Sequence, residues 1–258
     1  RLKKVNTISS RTLAFQFAPL LNAAGRLQDA DMAVRFLLSE DREEAEKMAQ
    51  KLDSVNLERR EKEEEMLETA LNLAETQKQD PALILASPEF HEGINGIVAT
   101  RLVELFYKPV IVLTENEIKL KGSGRSIPEL NLKDALSDCS DLLERFGGHA
   151  AAAGCSLIPD NFSEFRKRFI ALCVERLPAS LDPKLQLDGS LELPELTNMF
   201  VEQLDRLQPF GEGNPEPTFS VKTPELPFKR LKEKHVKWEV NGNVEIIGWK
   251  RAKTFAEK

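Results

Sequence analysis

Between Lys121 and Gly154 the chain reads KGSGRSIPELNLKDALSDCSDLLERFGGHAAAAG, and two clusters within it carry residue types that can meet an anion. The first is Gly122-Ser123-Gly124-Arg125-Ser126. A glycine-framed turn can converge successive backbone N–H groups into an anion nest. Ser123 and Ser126 add hydroxyl donors, and the planar fork of Arg125 suits two phosphate oxygens at once. The same pentapeptide also reads as a flexible turn with a surface arginine, because short glycine motifs match by chance. The second cluster is Gly147-Gly148-His149, followed by Ala150–Ala153 and Gly154. Its glycines are expected to stop a helical stretch carrying Leu132, Leu136, Leu142, Leu143 and Phe146. That leaves His149 in a clearing of small side chains, or else packed in a tight strand as a hydrogen-bonded core histidine.

The elements that must position these groups follow from periodicity. Residues 1–24 are expected to be helical from about Thr12 and to end in the small residues and single cation of Asn22–Arg26. Asp29–Ser39 has helical spacing with Asp29 as cap. Asp41–Gln79 reads as one long helix, apolar at Met48, Leu52 and Val55 and again at Met66, Leu67 and Leu71. Between them ERREKEEE is polar on every side, the mark of a helix crossing solvent between domains. A coiled-coil dimer is the competing reading, weakened by that break in the seam. Ala82–Ala86 and Val110–Leu113 read as buried parallel strands joined by a crossover helix over Ile94–Tyr107. His91 falls just past the first strand's carboxyl end, where open α/β sheets bind ligands, or serves as a capping residue. Arg101 lies on the crossover helix. Ala151–Leu157 reads as a strand and Phe162–Leu177 as an amphipathic helix.

Leu177–Pro183, with two prolines, marks a domain boundary. The expected division is residues 1–79 as connecting helices, 80–180 as an α/β domain and 181–258 as a small β domain. In the last, Lys184–Leu193, Thr218–Val221, Phe228–Leu231, Val236–Val240 and Val244–Trp249 are strand candidates and Glu195–Leu204 a helix. An OB-like barrel fits, and such barrels bind single strands with cations and aromatic platforms. Lys229, Arg230, Lys232 and Trp238 supply that mixture, unless these lysines only solvate an edge strand.

The 258 residues have net charge −6, so nucleic-acid binding must rest on placed residues and not on a basic coat. No apolar run is long enough for a membrane span. Cys139, Cys155 and Cys173 are too widely spaced for a zinc site or a disulfide framework, which suggests reduced thiols in a cytoplasmic protein. The first residue is Arg, so a piece of a longer protein is expected. His91, His149 and His235 lack metal-ligand spacing, and no metal or cofactor site is expected here.

GSGRS followed by GGHAAAAG resembles the DHH-associated domain of the DHH phosphoesterase superfamily. LNAAGRL at Leu21–Leu27, HEGINGIVATRL at His91–Leu102 ahead of KPVIVL, and LQPFGEGNPEP at Leu207–Pro217 complete an ordered set. Together they resemble the RecJ family of single-strand-specific 5′-to-3′ DNA exonucleases. One departure is Leu20, where that family often has arginine. The resemblance implies that residues 80–180 are the DHH-associated substrate domain and 181–258 an incomplete OB-fold. It implies Ser123, Gly124, Arg125 and Ser126 gripping a phosphate at the 5′ end, with Gly147, Gly148 and His91 as further contacts. His149 would touch the scissile phosphate, and Arg26 and Arg101 would steer the backbone. It further implies Mn²⁺ or Mg²⁺ in a metal-binding domain outside this chain, single-stranded DNA as substrate, a helicase or single-strand-binding protein as partner, and a monomer. On that reading the chain alone is inactive. The alternatives are a non-catalytic single-strand-binding module and a phosphodiesterase acting on short oligonucleotides.

Overall fold

The computed structural model describes residues 8–223, 228–240, 244–249 and 251–252. It divides into two compact units between Pro183 and Lys184. In the first, α1 (Ser10–Thr12) passes through a π-helical turn, Leu13–Phe17, into α2 (Ala18–Leu27). Asn22–Arg26 forms the closing turns of this helix, as expected: α2 stops at Leu27, one residue past Arg26. Its small residues also serve packing: Ala23 and Ala24 are fully buried, and α2 lies against α4 and α5. A short helix, α3 (Asp31–Leu38), follows.

The long helix is α4 (Arg42–Thr76), capped by Asp41, whose Oδ1 accepts from the Glu44 N–H at 2.7 Å. At 1.5 Å per residue it is about 52 Å long. Its buried residues fall on one stripe: Leu52, Val55, Asn56, Arg59, Met66, Ala70 and Ala74. The middle of α4 is thus not solvated all round, as its composition suggested. The stripe continues through Asn56 and Arg59, and the Glu63 side chain is 12% exposed. Its two flanks remain apolar, so the helices of residues 1–79 and the sheet belong to one unit.

The sheet has the order β1-β2-β3-β5-β4, with β1 (Leu83–Ser87), β2 (Val110–Glu115), β3 (Leu120–Arg125), β4 (Arg145–Gly148) and β5 (Ala152–Leu157). β1 and β2 are parallel across the crossover helix α5 (Glu92–Phe106); the other pairs are antiparallel. Alternation gives each face its own core. Leu83, Leu85, Val110 and Val112 pack under Ile94, Val98, Met66 and Ala70 of α5 and α4. Ile84, Ile111, Leu113, Leu120, Cys155 and Leu157 pack under α6 (Leu132–Ser137) and α7 (Phe162–Arg176), where Phe165 and Phe169 are fully buried.

Two expectations about the glycine clusters are corrected. GSGRS is not a nest: Gly122–Arg125 forms β3, paired on both sides, so its amides serve the ladders. Its glycines admit neighbours, since a Cβ on Gly122 would stand 1.9 Å from the Val112 carbonyl oxygen. A Cβ on Gly124 would stand 2.9 Å from Leu132 Cδ2. Nor do Gly147 and Gly148 stop a helix. α6 ends at Ser137, a 3-10 turn spans Ser140–Leu142, and both glycines lie in β4 against β5.

In the second unit β6 (Gly189–Leu191) pairs in parallel with β7 (Phe219–Val221). The strand expected over Lys184–Leu193 contracts to those three residues. Helix α8 (Asn198–Asp205) is capped by Thr197 and sets Phe200 edge-on to Phe219 at 5.6 Å. β8 (Lys229–Leu231), β9 (His235–Val240) and β10 (Val244–Gly248) form an antiparallel sheet with β9 central.

Candidate nucleic-acid interface

Strand alternation puts Lys121, Ser123 and Arg125 on the face of β3 that α5 covers, beside Val110, Val112 and Thr114 of β2. Two glycines one helical turn apart let two arginines approach α5. A Cβ on Gly93 would meet the Arg26 carbonyl oxygen at 2.0 Å, and one on Gly96 would meet Arg125 Nη2 at 2.8 Å. Arg26 Nη1 donates to the Gly93 carbonyl at 2.9 Å, and Arg125 Nη1 to the Gly124 carbonyl at 2.8 Å. The fully buried Asn95, between these glycines, donates from Nδ2 to Thr114 Oγ1 at 3.0 Å and to the Lys121 carbonyl at 3.3 Å. That bond pair pins α5 across β2 and β3.

The outcome is an open cleft of about 630 Å³ lined by Arg26, His91, Glu92, Gly93, Thr114, Lys121 and Ser123, among others. Both arginines are held under electrostatic stress. Burial first, then Arg59, lowers the Arg26 guanidinium pKa, while Glu63 raises it. Burial first, then Arg26, lowers that of Arg125. Two neighbouring, partly desolvated cations gain from an anion placed beside them.

His91 is a capping residue that also borders the cleft. Its Nδ1 accepts from the Gly93 N–H at 3.1 Å, capping α5, and its ring lines the cleft. Lys121, not singled out from sequence, is bridged to Glu92 at 2.6 Å. Ser126 and Gly124 lie apart from the cleft. Ser126 Oγ donates to the Leu130 carbonyl at 2.8 Å and its N–H to Ala151, while Gly124 is buried on the opposite face.

Beside the cleft, Lys121 and Gly122 also border a shallower depression floored by Gly147, Gly154 and Ser156, with Arg145 at its edge. Ser123, Gly154 and Gly147 are directly opposite one another across β3, β5 and β4. Side-chain bulk is missing along this row, so a chain can lie close to the sheet. Gly148 has φ +145° and turns the backbone out of β4. His149 follows it, exposed, its N–H bonded to the Ala152 carbonyl at 2.8 Å. Ala152 is the register partner of Arg125, so the His149 turn closes the same end of the sheet. Ala150 and Ala151 are exposed, which excludes the packed-strand alternative for this histidine.

Arg101 faces α4. Its Nε is 3.5 Å from Glu63 Oε1, and it lines a second hollow with Arg59, Arg60, Glu63 and Glu64. Arg59 and Glu63 were missed because a charged i,i+4 pair on a long helix ordinarily marks a solvated face.

In the second unit Trp238 is half-buried. It shares a strand face with the buried Val236 and Val240 and tilts against Phe228 at 6.3 Å. Lys229 reaches Glu239 at 3.4 Å, Lys232 sits at φ 49° in the β8–β9 turn, and Arg230 is exposed. Trp249 is 67% exposed and edge-on to His235 at 4.8 Å. Among the described residues no three His, Cys, Asp or Glu side chains come together to hold a metal ion, and no helix is long and apolar enough to cross a membrane.

Comparison with known proteins agrees with this anatomy. The DHHA1 domain family matches residues 79–175 and the RecJ OB domain family residues 187–258. The single-stranded-DNA-specific exonuclease RecJ of Dickeya dadantii is 42% identical over 236 residues, 87% of this chain and 41% of that protein. RecJ of Bacillus subtilis is 35% identical over 257 residues, 96% of this chain and 33% of that protein. The crystal structure of Thermus thermophilus RecJ in complex with Mn²⁺ superposes with a TM-score of 0.82 at 34% identity, covering 94% of this chain and 36% of that one. The chain therefore spans between a third and a half of the length of these relatives.

Proposed function

From a chain that carries the DHHA1 and OB domains of RecJ and is RecJ-like along most of its length, we propose the substrate-binding part of a 5′-to-3′ single-stranded-DNA exonuclease of DNA repair and recombination. The observation that carries the reading is the pairing of Arg26 and Arg125, partly buried electrostatic neighbours against α5, beside the open cleft holding Ser123. A terminal 5′-phosphate fits this site: it supplies the missing negative charge and can accept from both guanidinium forks and from the Ser123 hydroxyl. The following nucleotides run along the low row of Ser123, Gly154 and Gly147. His149, at the end of that row, contacts the phosphate to be cut and favours its charged transition state. Arg101 steers the backbone, and the second unit offers single-strand contacts of its own through Arg230, Lys232 and the exposed Trp249 ring.

The relatives' structures with Mn²⁺ and Mg²⁺ support a metal-dependent hydrolysis in the intact enzyme. The described residues of this chain do not fit such a centre, so the metal's part in the cleavage is not assigned to them. The intact enzyme works in the cytoplasm as a monomer, on single strands supplied by a helicase or a single-strand-binding protein. The test is incubation of the 258-residue chain with 5′-phosphorylated single strands and Mn²⁺. Binding without nucleotide release is expected. Metal-dependent release that co-purifies with the chain refutes the division of labour, and absence of single-strand binding refutes the substrate role.

A further inference from the structure

The apolar stripe of α4 is interrupted at one level only by charge: Asn56, Arg59 and Glu63 replace the hydrocarbon between Val55 and Met66. Arg59 Nε and Nη2 both donate to Asn56 Oδ1 at 3.2 Å, and Nη1 donates to Glu63 Oε2 at 2.6 Å. The two side chains are 11% and 12% exposed. The other carboxylate oxygen of Glu63 faces Arg101 Nε of α5 at 3.5 Å. This network stands where α2 crosses α4 and α5, and Arg26 of α2 is its electrostatic neighbour. A buried ion pair is a poor source of stability compared with packed hydrocarbon, so its use here calls for another role.

We propose that Glu63 is a positioning residue of the phosphate cleft: tied to Arg59 and bridged to Arg101, it holds α4, α5 and the Arg26 guanidinium in the arrangement that receives the phosphate. The proposal rests on the reading of Arg26 as a phosphate contact. Its physical content is a sign. Glu63 is an anion near a polyanion's site, so bulk electrostatics alone predicts tighter DNA binding when its charge is removed. A positioning role predicts weaker binding. Without the carboxylate, Arg59 and Arg101 are left facing each other across α4 and α5, next to Arg26, and the guanidiniums move apart.

The test is fluorescence anisotropy with matched 5′-phosphorylated and 5′-hydroxyl oligothymidines on the wild-type chain, Arg26→Gln, Glu63→Gln and the double variant. Arg26→Gln is expected to lose about tenfold in affinity for the phosphorylated strand, the scale of a charge-assisted hydrogen bond. Glu63→Gln is expected to lose the same preference for the phosphorylated end, and the double variant to be no worse than Arg26→Gln. Equal or tighter binding by Glu63→Gln, or a loss that adds to that of Arg26→Gln, overturns the positioning role alone. An Arg26→Gln variant that keeps its full preference overturns the cleft reading and this proposal with it. Should Glu63→Gln not fold, the uncharged pair Arg59→Gln/Glu63→Gln carries the same expectation, and retained preference in it is equally contrary.

Discussion

At Gly96 the space for a methyl group is filled by an arginine. A Cβ there would lie 2.8 Å from Arg125 Nη2, the far end of a flexible side chain. Gly96→Ala is therefore expected to move the arginine and leave the helix in place. Melting should not fall, since alanine favours the helix by about 1 kcal/mol, while affinity for a 5′-phosphorylated strand should. Gly93 is the contrasting case. Its Cβ would strike the Arg26 carbonyl oxygen at 2.0 Å, and backbone cannot swing aside. Gly93→Ala is expected to cost about 1–3 kcal/mol in a urea titration, the usual range for overpacking. Both positions lay in a motif that the sequence singled out, yet the reason for them was hidden. A glycine in a helix says that something comes close; only the fold says that here it is an arginine of α2 and another of β3.

At the level of elements, what the chain showed in advance depended on period. The runs ALILA and VIVL, the helix between them and the long helix to Thr76 were legible because burial on both sides of a parallel strand, or on one stripe of a helix, writes itself into hydrophobicity. Gly122–Arg125 was not, because a strand made of glycine, serine and arginine has the composition of a turn. Its pairing with β2 and β5 is decided by the neighbours and not by its own propensity. The same holds for Gly147 and Gly148 in β4. The faces also explain the cysteines. Burial raises the thiol pKa of Cys139 to about 11 and of Cys155 and Cys173 to about 12, from an ordinary 9.0. A thiol with a raised folded-state pKa leaves stability intact below pH 9.0 and withdraws it as pH rises toward 12. Chemical denaturation across that window should show falling stability, with a shallower fall for Cys155→Ala. An identical slope in the variant would contradict the burial argument. On the same face Phe165→Ala removes a ring from the α7 core and should cost about 3–5 kcal/mol.

Across the whole molecule, a net charge of −6 coexists with neighbouring guanidiniums, Arg26, Arg59 and Arg125, in the first unit. Recognition of the 5′ end should therefore be local, salt-sensitive and weakened by single substitutions. Each phosphate neutralised on a single strand contributes about 0.7 to the slope of log affinity against log salt. Arg125→Gln should lower the slope by about that amount, whereas a substitution at exposed Arg35, outside the cleft, should leave it unchanged. The most direct measurement is the affinity ratio between 5′-phosphorylated and 5′-hydroxyl forms of one oligonucleotide, for the wild-type chain and for Arg125→Gln. A clear preference for the phosphorylated end that disappears in Arg125→Gln is the predicted result. No preference in the wild-type chain, or a preference that survives the loss of the guanidinium, contradicts the account.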